Sequence, residues 1–93
     1  MQKEYKIYSS RLFEKQLNKV PQIIREMMEA WARSVKLNGL DEIRKISGYH
    51  DEPLQGQRFG QRSVRLTRSY RLIYREEKRE NVILLLEVTK HDY

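Results

Sequence analysis

The sequence has no cysteine, and only two prolines and four glycines in 93 residues. Without cysteine there can be no disulfide scaffold, thiolate zinc site, iron–sulfur cluster or cysteine nucleophile. The longest apolar run, residues 82–86, is far too short to span a bilayer. Residues 1–6 are polar and lack the apolar stretch of a signal peptide. We therefore expect one cytoplasmic domain over residues 1–93, held together by packing alone and not bound to a membrane.

Acidic residues are missing from one quarter of the chain. Residues 53–75 contain no Asp or Glu but have six basic residues, all of them arginine: Arg58, Arg62, Arg65, Arg68, Arg71 and Arg75. The rest of the chain is balanced, so this segment carries the whole formal net charge of +6. The planar fork of arginine matches phosphate oxygens. The cluster favours a polyanionic partner such as nucleic acid over the plainer alternative, a solvated charged strand.

Apolar spacing predicts a short strand followed by two helices. Residues 5–8 have the character of a strand, and Ser9 and Ser10 are both good N-cap candidates for a helix over residues 10–18. Pro21 suits the first turn of a second helix, and Gly39 suits its end. The second helix carries an apolar stripe with core spacing, formed by Ile24, Met27, Met28, Trp31 and Val35.

The second half of the chain has the pattern of strands. Residues 40–46 predict one more helical turn, and residues 47–60, with three glycines and a proline, predict a loop. Alternating apolar residues then predict three strands: from residue 61 to a turn at residues 68–69, over residues 70–75, and over residues 82–88, with residues 89–93 as a tail. The last strand is apolar on both faces and should be interior.

The order β-α-α-β-β-β predicts an α+β fold. We expect the two N-terminal helices to cover one face of a small, mostly antiparallel sheet of about four strands. Arg65, Arg71 and Arg75 would then point from the other face. That uncovered face is where a partner or substrate would bind.

Chemistry near neutral pH would depend on the two histidines, His50 and His91. Histidine is the side chain best suited to proton transfer there, although each of these two alone is more simply explained as a surface residue. No metal-binding spacing, phosphate-binding loop or nucleophile elbow is present, so we expect no metal and no cofactor. A metal-free site of Arg, His and Tyr suits RNA, because the RNA 2′-hydroxyl can attack the neighbouring phosphate.

Four segments in this order resemble the RelE/ParE superfamily of bacterial toxins, most closely its HigB-like and YoeB-like branches. They are HDEPLQG (residues 50–56), GQRSVRL (60–66), YRLIY (70–74) and KHDY (90–93). The resemblance covers the whole chain in the order of its elements and residues 49–93 in detail. It implies a RelE-like fold and the toxin of a type II toxin–antitoxin pair. Such toxins are typically ribosome-dependent mRNA interferases, endoribonucleases that cut mRNA without metal and stop translation.

The resemblance also implies catalytic roles. Arg71 matches the arginine that stabilises the scissile phosphate in YoeB-like toxins. His91 and Tyr93 match terminal residues used for acid–base chemistry and base stacking, although the order here is His-Asp-Tyr where HigB-like members have Asp-Tyr-His. His50 matches a HigB-like loop histidine and Glu52 a YoeB-like loop glutamate, and the sequence leaves open which one is the general base. The candidate catalytic residues are Arg71, His91, Tyr93, His50, Glu52 and Asp92.

Binding residues and partners follow from the same resemblance. The expected RNA- or ribosome-binding residues are Arg58, Arg62, Arg65, Arg68, Arg75 and Lys90. The expected partners are mRNA in the ribosomal A site, ribosomal RNA and a cognate antitoxin, in HigB-like systems often a helix-turn-helix protein of the HigA kind. Two alternatives stay open: a ParE-like poison of DNA gyrase, which needs no catalytic His or Tyr, and a non-catalytic module that binds nucleic acid or protein.

Overall fold

The structure, a computed structural model, describes residues 4–90 and has five strands. They are β1 (Lys6–Ser9), β2 (Glu52–Pro53), β3 (Gln61–Arg65), β4 (Tyr70–Glu77) and β5 (Val82–Lys90). All five form one sheet in the order β1-β5-β4-β3-β2. β1 and β5 are parallel, and the other neighbouring pairs are antiparallel. The predicted α+β class is confirmed, and β5 is interior as expected.

Three helices precede most of the sheet: α1 (Arg11–Leu17), α2 (Gln22–Asn38) and the short α3 (Leu40–Arg44). The Ser10 hydroxyl accepts a hydrogen bond of 3.0 Å from the backbone N–H of Phe13 and so caps α1. Gly39, with a φ of 86°, lies between α2 and α3 in a conformation that favours glycine. Within residues 4–90, no helix is both long enough and apolar enough to cross a membrane.

The core lies between the helices and one face of the sheet. From α2 it takes Ile24, Met28, Trp31 and Val35, whereas Met27 of the predicted stripe is 38% exposed. From the strands it takes Val64, Leu72, Tyr74, Ile83, Leu85 and Val88. Burying apolar surface of this kind contributes about 25 cal/mol per Å² and is the main term that stabilises the fold.

The strand count is one higher than predicted, because β2 lies inside the segment predicted to be a loop. β2 has only two residues, paired with β3 through Glu52–Ser63 and Pro53–Arg62. A strand this short shows no periodicity, and Pro53 is unfavourable for a strand because it lacks a backbone N–H. β5 also continues through Thr89 and Lys90, which the sequence pattern assigns to the tail.

A chain of partly buried polar contacts crosses the helix-facing side of the sheet, and we call it the Asp51 network. Arg62 donates to the Asp51 carboxylate at 2.5 Å, and the Tyr74 hydroxyl donates to its other oxygen at 2.6 Å. Arg44 donates to the Tyr74 hydroxyl at 3.3 Å and to Glu76 at 2.6 Å. The ring of Tyr74 also packs against Trp31, with centroids 5.2 Å apart.

The ionisation of Tyr74 is suppressed in the folded protein. Burial, with the hydrogen bond to Asp51, raises the pKa of Tyr74 above its ordinary value of about 10, and the contact with Arg44 lowers the pKa by less. Burial lowers the pKa of Arg44, but its bonds to Tyr74 and Glu76 raise that pKa by more, so the guanidinium stays charged.

These shifts predict an alkaline loss of stability. Because the folded-state pKa of Tyr74 exceeds its unfolded value, its contribution is complete below about pH 10 and is lost as pH rises through the folded-state pKa. Tyr74→Phe should cost about 1–3 kcal/mol at neutral pH, since Asp51 loses a buried donor. Urea unfolding at a series of pH values should show the gap between wild type and variant narrowing above pH 10. A gap independent of pH would contradict the prediction.

Candidate functional site

The face of the sheet opposite the core carries a pair of arginines on adjacent strands. The register of β3 and β4 places Arg65 directly opposite Arg71, and Ser63 opposite Ile73. Like charges in this position repel each other. Arg65 makes no ion pair within residues 4–90 to offset the repulsion. We call this side, with Ser63, Arg65, Arg71, Ile73 and Arg75, the arginine face; its concentrated positive charge suits an anionic ligand.

Arg71 is largely enclosed on this face, with 15% of its side chain exposed. Its guanidinium donates to the hydroxyl of Ser63 at 3.3 Å, and Ser63 itself is buried. The same Nη1 lies 4.0 Å from Oε1 of Glu52. These contacts hold the planar fork in one orientation at the surface of the sheet, so a bound phosphate would meet donors already in place.

The structure separates the two candidate bases of the loop. Glu52, on the edge strand β2, is 59% exposed and lies next to Arg71. His50 is exposed and has left-handed backbone angles (φ 45°, ψ 46°), which are uncommon for a residue with a side chain. No hydrogen bond or ion pair within the described residues joins His50 to Arg71 or Glu52. Of the two candidates, Glu52 is the one with an ion-pair contact to the arginine within the described residues.

Three other candidate binding arginines lie around this pair. Arg58 contacts Glu87 of β5 at 2.5 Å and donates to Gln61 at 2.9 Å. Arg75 is 3.5 Å from Glu77, with about half of its side chain exposed. Arg68 is exposed in the turn between β3 and β4 and, within residues 4–90, has no ion pair. Arg58 and Arg75 are thus each balanced by a glutamate, and of the three only Arg68 adds unpaired positive charge within residues 4–90.

Arg62 and Lys90 do not join the arginine face. The side chain of Arg62 turns to the helix-facing side and binds Asp51, which is 2% exposed. The alternation of β3 could have revealed this placement, because Arg62 is two residues from buried Val64 and therefore lies on the same face of the strand. Lys90 is exposed and lies opposite Tyr70. The next pair along the two strands is Arg71–Thr89, and consecutive pairs point to opposite faces of a sheet, so Lys90 is not on the face of Arg71.

The three predicted tail residues His91, Asp92 and Tyr93 lie outside the described residues, so their roles stay predictions. Within residues 4–90, no three His, Asp or Glu side chains are grouped closely enough to hold a metal ion.

Two residues that organise the site were missed by sequence reasoning. Ser63 has the parity of the arginine face, so the alternation of β3 could have indicated that it meets Arg71. Asp51 had no such signal, because it stands between two exposed polar residues and its partners Arg62 and Tyr74 are 11 and 23 residues away.

Proteins of known structure match this chain over nearly its whole length. YafQ from E. coli strain BL21(DE3) matches with a TM-score of 0.76 at 18% identity, covering 95% of this chain and 94% of YafQ. A YoeB/ParE toxin from Agrobacterium tumefaciens matches with 0.73 at 18% identity, covering 94% and 99%. A chain of the archaeal RelE–RelB complex from Pyrococcus horikoshii OT3 matches with 0.73 at 19% identity, covering 95% and 96%.

No protein-family model and no curated protein sequence matches the chain. The likeness is therefore one of fold, and in the YafQ comparison it covers 95% of this chain. The RelE-like fold implied by the sequence motifs is confirmed: this chain has the fold found in YafQ, in a YoeB/ParE toxin and in a RelE–RelB complex.

Proposed function

We propose that this protein is the toxin of a type II toxin–antitoxin pair and acts as a ribosome-dependent mRNA interferase. The observation that carries the proposal is the placement of Arg71, held by Ser63 and lying 4.0 Å from the carboxylate of Glu52. A fixed cation beside an exposed carboxylate suits transfer of a phosphoryl group within RNA, where one group must accept a proton while another stabilises negative charge.

In the proposed reaction, the RNA supplies its own nucleophile. Glu52 takes the proton from the 2′-hydroxyl, and the 2′-oxygen then forms a bond to the adjacent phosphorus. Arg71 stabilises the additional negative charge on the phosphate oxygens. The bond from phosphorus to the 5′-oxygen breaks, leaving a 2′,3′-cyclic phosphate, and a general acid protonates the leaving oxygen. His91, Asp92 and Tyr93 remain the candidates for that acid.

Glu52 is the better candidate for the base, because it shares the arginine face with Arg71, whereas His50 forms no hydrogen bond or ion pair with either residue in the described part of the chain. His50 stays a second candidate through its place in the same loop. DNA has no 2′-hydroxyl, so the same face could bind DNA but could not cleave it in this way. The reaction needs neither a metal nor a cofactor.

An antitoxin, mRNA in the ribosomal A site and ribosomal RNA are the proposed partners. One similar structure is described as a toxin–antitoxin complex, that of DinJ with YafQ, and another as a complex of RelE with RelB. An antitoxin, of the helix-turn-helix HigA kind or another, would keep the positively charged face from RNA until it is removed. The site of action is the cytoplasm.

Arg71→Ala tests the proposed activity. We expect cleavage to fall by about 10²–10³-fold, because a fixed donor to the developing charge is lost. Inducible expression in bacteria, with mapping of mRNA 5′ ends, should show codon-phased cuts and growth arrest for wild type and neither for the variant. Arg79→Ala is the matched control, since Arg79 is exposed in the turn between β4 and β5 and should leave both effects intact.

Each outcome distinguishes the functional candidates. Full toxicity of a folded Arg71→Ala protein would show that the proposed site is wrong. Growth arrest with DNA damage and no new 5′ ends would indicate a ParE-like gyrase poison. No arrest by the wild-type protein would indicate a non-catalytic binding module.

Binding of RNA should depend steeply on salt, and Arg65 should account for part of this dependence. Each phosphate neutralised on a single strand contributes about 0.7 to the slope of log affinity against log salt. Arg65→Ala should reduce that slope by about 0.7 on an oligonucleotide whose 2′-hydroxyls are methylated to prevent cleavage. Arg79→Ala should leave the slope unchanged, and equal slopes for wild type and Arg65→Ala would show that Arg65 contacts no phosphate.

A further inference from the structure

We propose that Asp51 is a positioning residue: its buried carboxylate anchors β2 so that Glu52 is held beside Arg71. The proposal rests on the function proposed above and adds a further residue to it. Asp51 does not lie on the arginine face, so it would not touch the RNA. Residues 50–52 form one polar triplet in the sequence, His-Asp-Glu, but the structure gives the three side chains different environments. His50 and Glu52 are exposed, whereas the Asp51 side chain is 2% exposed.

Both carboxylate oxygens of Asp51 are occupied. Arg62 from β3 donates to one oxygen at 2.5 Å, and Tyr74 from β4 donates to the other at 2.6 Å. A buried carboxylate is tolerated only when it is paired in this manner, and removing one partner leaves its charge uncompensated. Asp51 therefore ties the loop to two separate strands of the sheet at a fixed position.

The backbone of β2 cannot supply that anchorage by itself. The strand has two residues, and one of them, Pro53, has no N–H to donate to the ladder. Beyond the ladder, the adjoining backbone contact is the bond from the Leu54 N–H to the carbonyl of Gln61, at 2.9 Å. An edge strand with so few backbone bonds opens easily, so a side-chain anchor contributes a large share of its order.

The geometry couples this anchor to the site. Consecutive residues of an extended chain point to opposite faces, so fixing Asp51 on the helix-facing side turns Glu52 to the arginine face. Oε1 of Glu52 is 4.0 Å from Nη1 of Arg71. A shift of about 1 Å in a reacting group can reduce the rate by about 10²-fold. Asp51 should thus affect the chemical step and leave RNA binding by the arginines almost unchanged.

The test is a double-mutant cycle with Asp51→Asn and Glu52→Gln. Asn has the shape of Asp but places an amide against the Arg62 guanidinium or the Tyr74 hydroxyl. We expect Asp51→Asn to lower kcat about 10–100-fold, with KM within twofold of wild type. In the Glu52→Gln background, the same change should have no further effect on kcat, because the group that Asp51 positions has already been lost.

Glu76→Gln is the matched control. Glu76 is a carboxylate of the same network, 10% exposed and paired with Arg44 at 2.6 Å, but it lies at the far end from β2. Its loss should lower the melting temperature to an extent similar to that of Asp51→Asn while kcat stays within twofold of wild type. Rates are compared at a temperature where circular dichroism shows every variant to be folded.

Hydrogen exchange at the Leu54 amide gives a measurement that needs no RNA. We expect exchange there to be at least tenfold faster in Asp51→Asn and unchanged in Glu76→Gln. Unchanged exchange at the Leu54 amide in Asp51→Asn would overturn the proposal that Asp51 anchors β2. If Asp51→Asn lowered kcat by the same factor in the wild-type and Glu52→Gln backgrounds, the proposal that Asp51 acts through Glu52 would be overturned. A wild-type protein that cleaves no RNA would overturn the proposed function and the catalytic role of Glu52, whereas faster exchange would still establish the anchor.

Discussion

The alternation of side chains along β4 is the constraint on which the site depends. Leu72 and Tyr74 are completely buried under the helices, so the register of this strand cannot slip by one residue without moving both into water. Arg71 and Ile73 alternate with these two residues along the strand and therefore lie on the other face. β4 has neighbours on both sides, β5 and β3, which hold the register along its length. The position of Arg71 is a consequence of the core.

Residues whose environment follows from local spacing could be predicted. The period of α2 identified Trp31 and Val35 as core residues, and the two-residue alternation placed Arg65, Arg71 and Arg75 on one face. Met27 shows the limit of this approach, because a helical stripe can be wider than the surface that the rest of the fold covers. The resemblance to RelE-like toxins then gave the fold that the structure comparisons confirm.

Residues whose environment depends on distant partners could not be predicted. Arg62 belongs to the same acid-free segment as Arg65, but its charge is used inside the protein, where it pairs with Asp51. The charge count of a segment does not distinguish a guanidinium that faces solvent from one that holds a loop. The contact between Glu52 and Arg71 was likewise hidden, because it requires β2, a strand too short to have a period. The alternation of the predicted strand β3 indicates the faces of Arg62 and Ser63, but it does not indicate that Arg62 pairs with Asp51.

The parallel pairing of β1 with β5 affects when, during synthesis, the sheet can form in full. Ser10, just after β1, donates to the carbonyl of Leu86, 76 residues later in the chain. Contacts with such a wide separation in sequence form late, because the intervening chain must first be closed into a loop. During synthesis the helices emerge before the sheet they cover, and the core stays open until residues 82–90 have left the ribosome. The order of synthesis thus delays closure of the core, on which the register of β4 depends, until β5 has been translated.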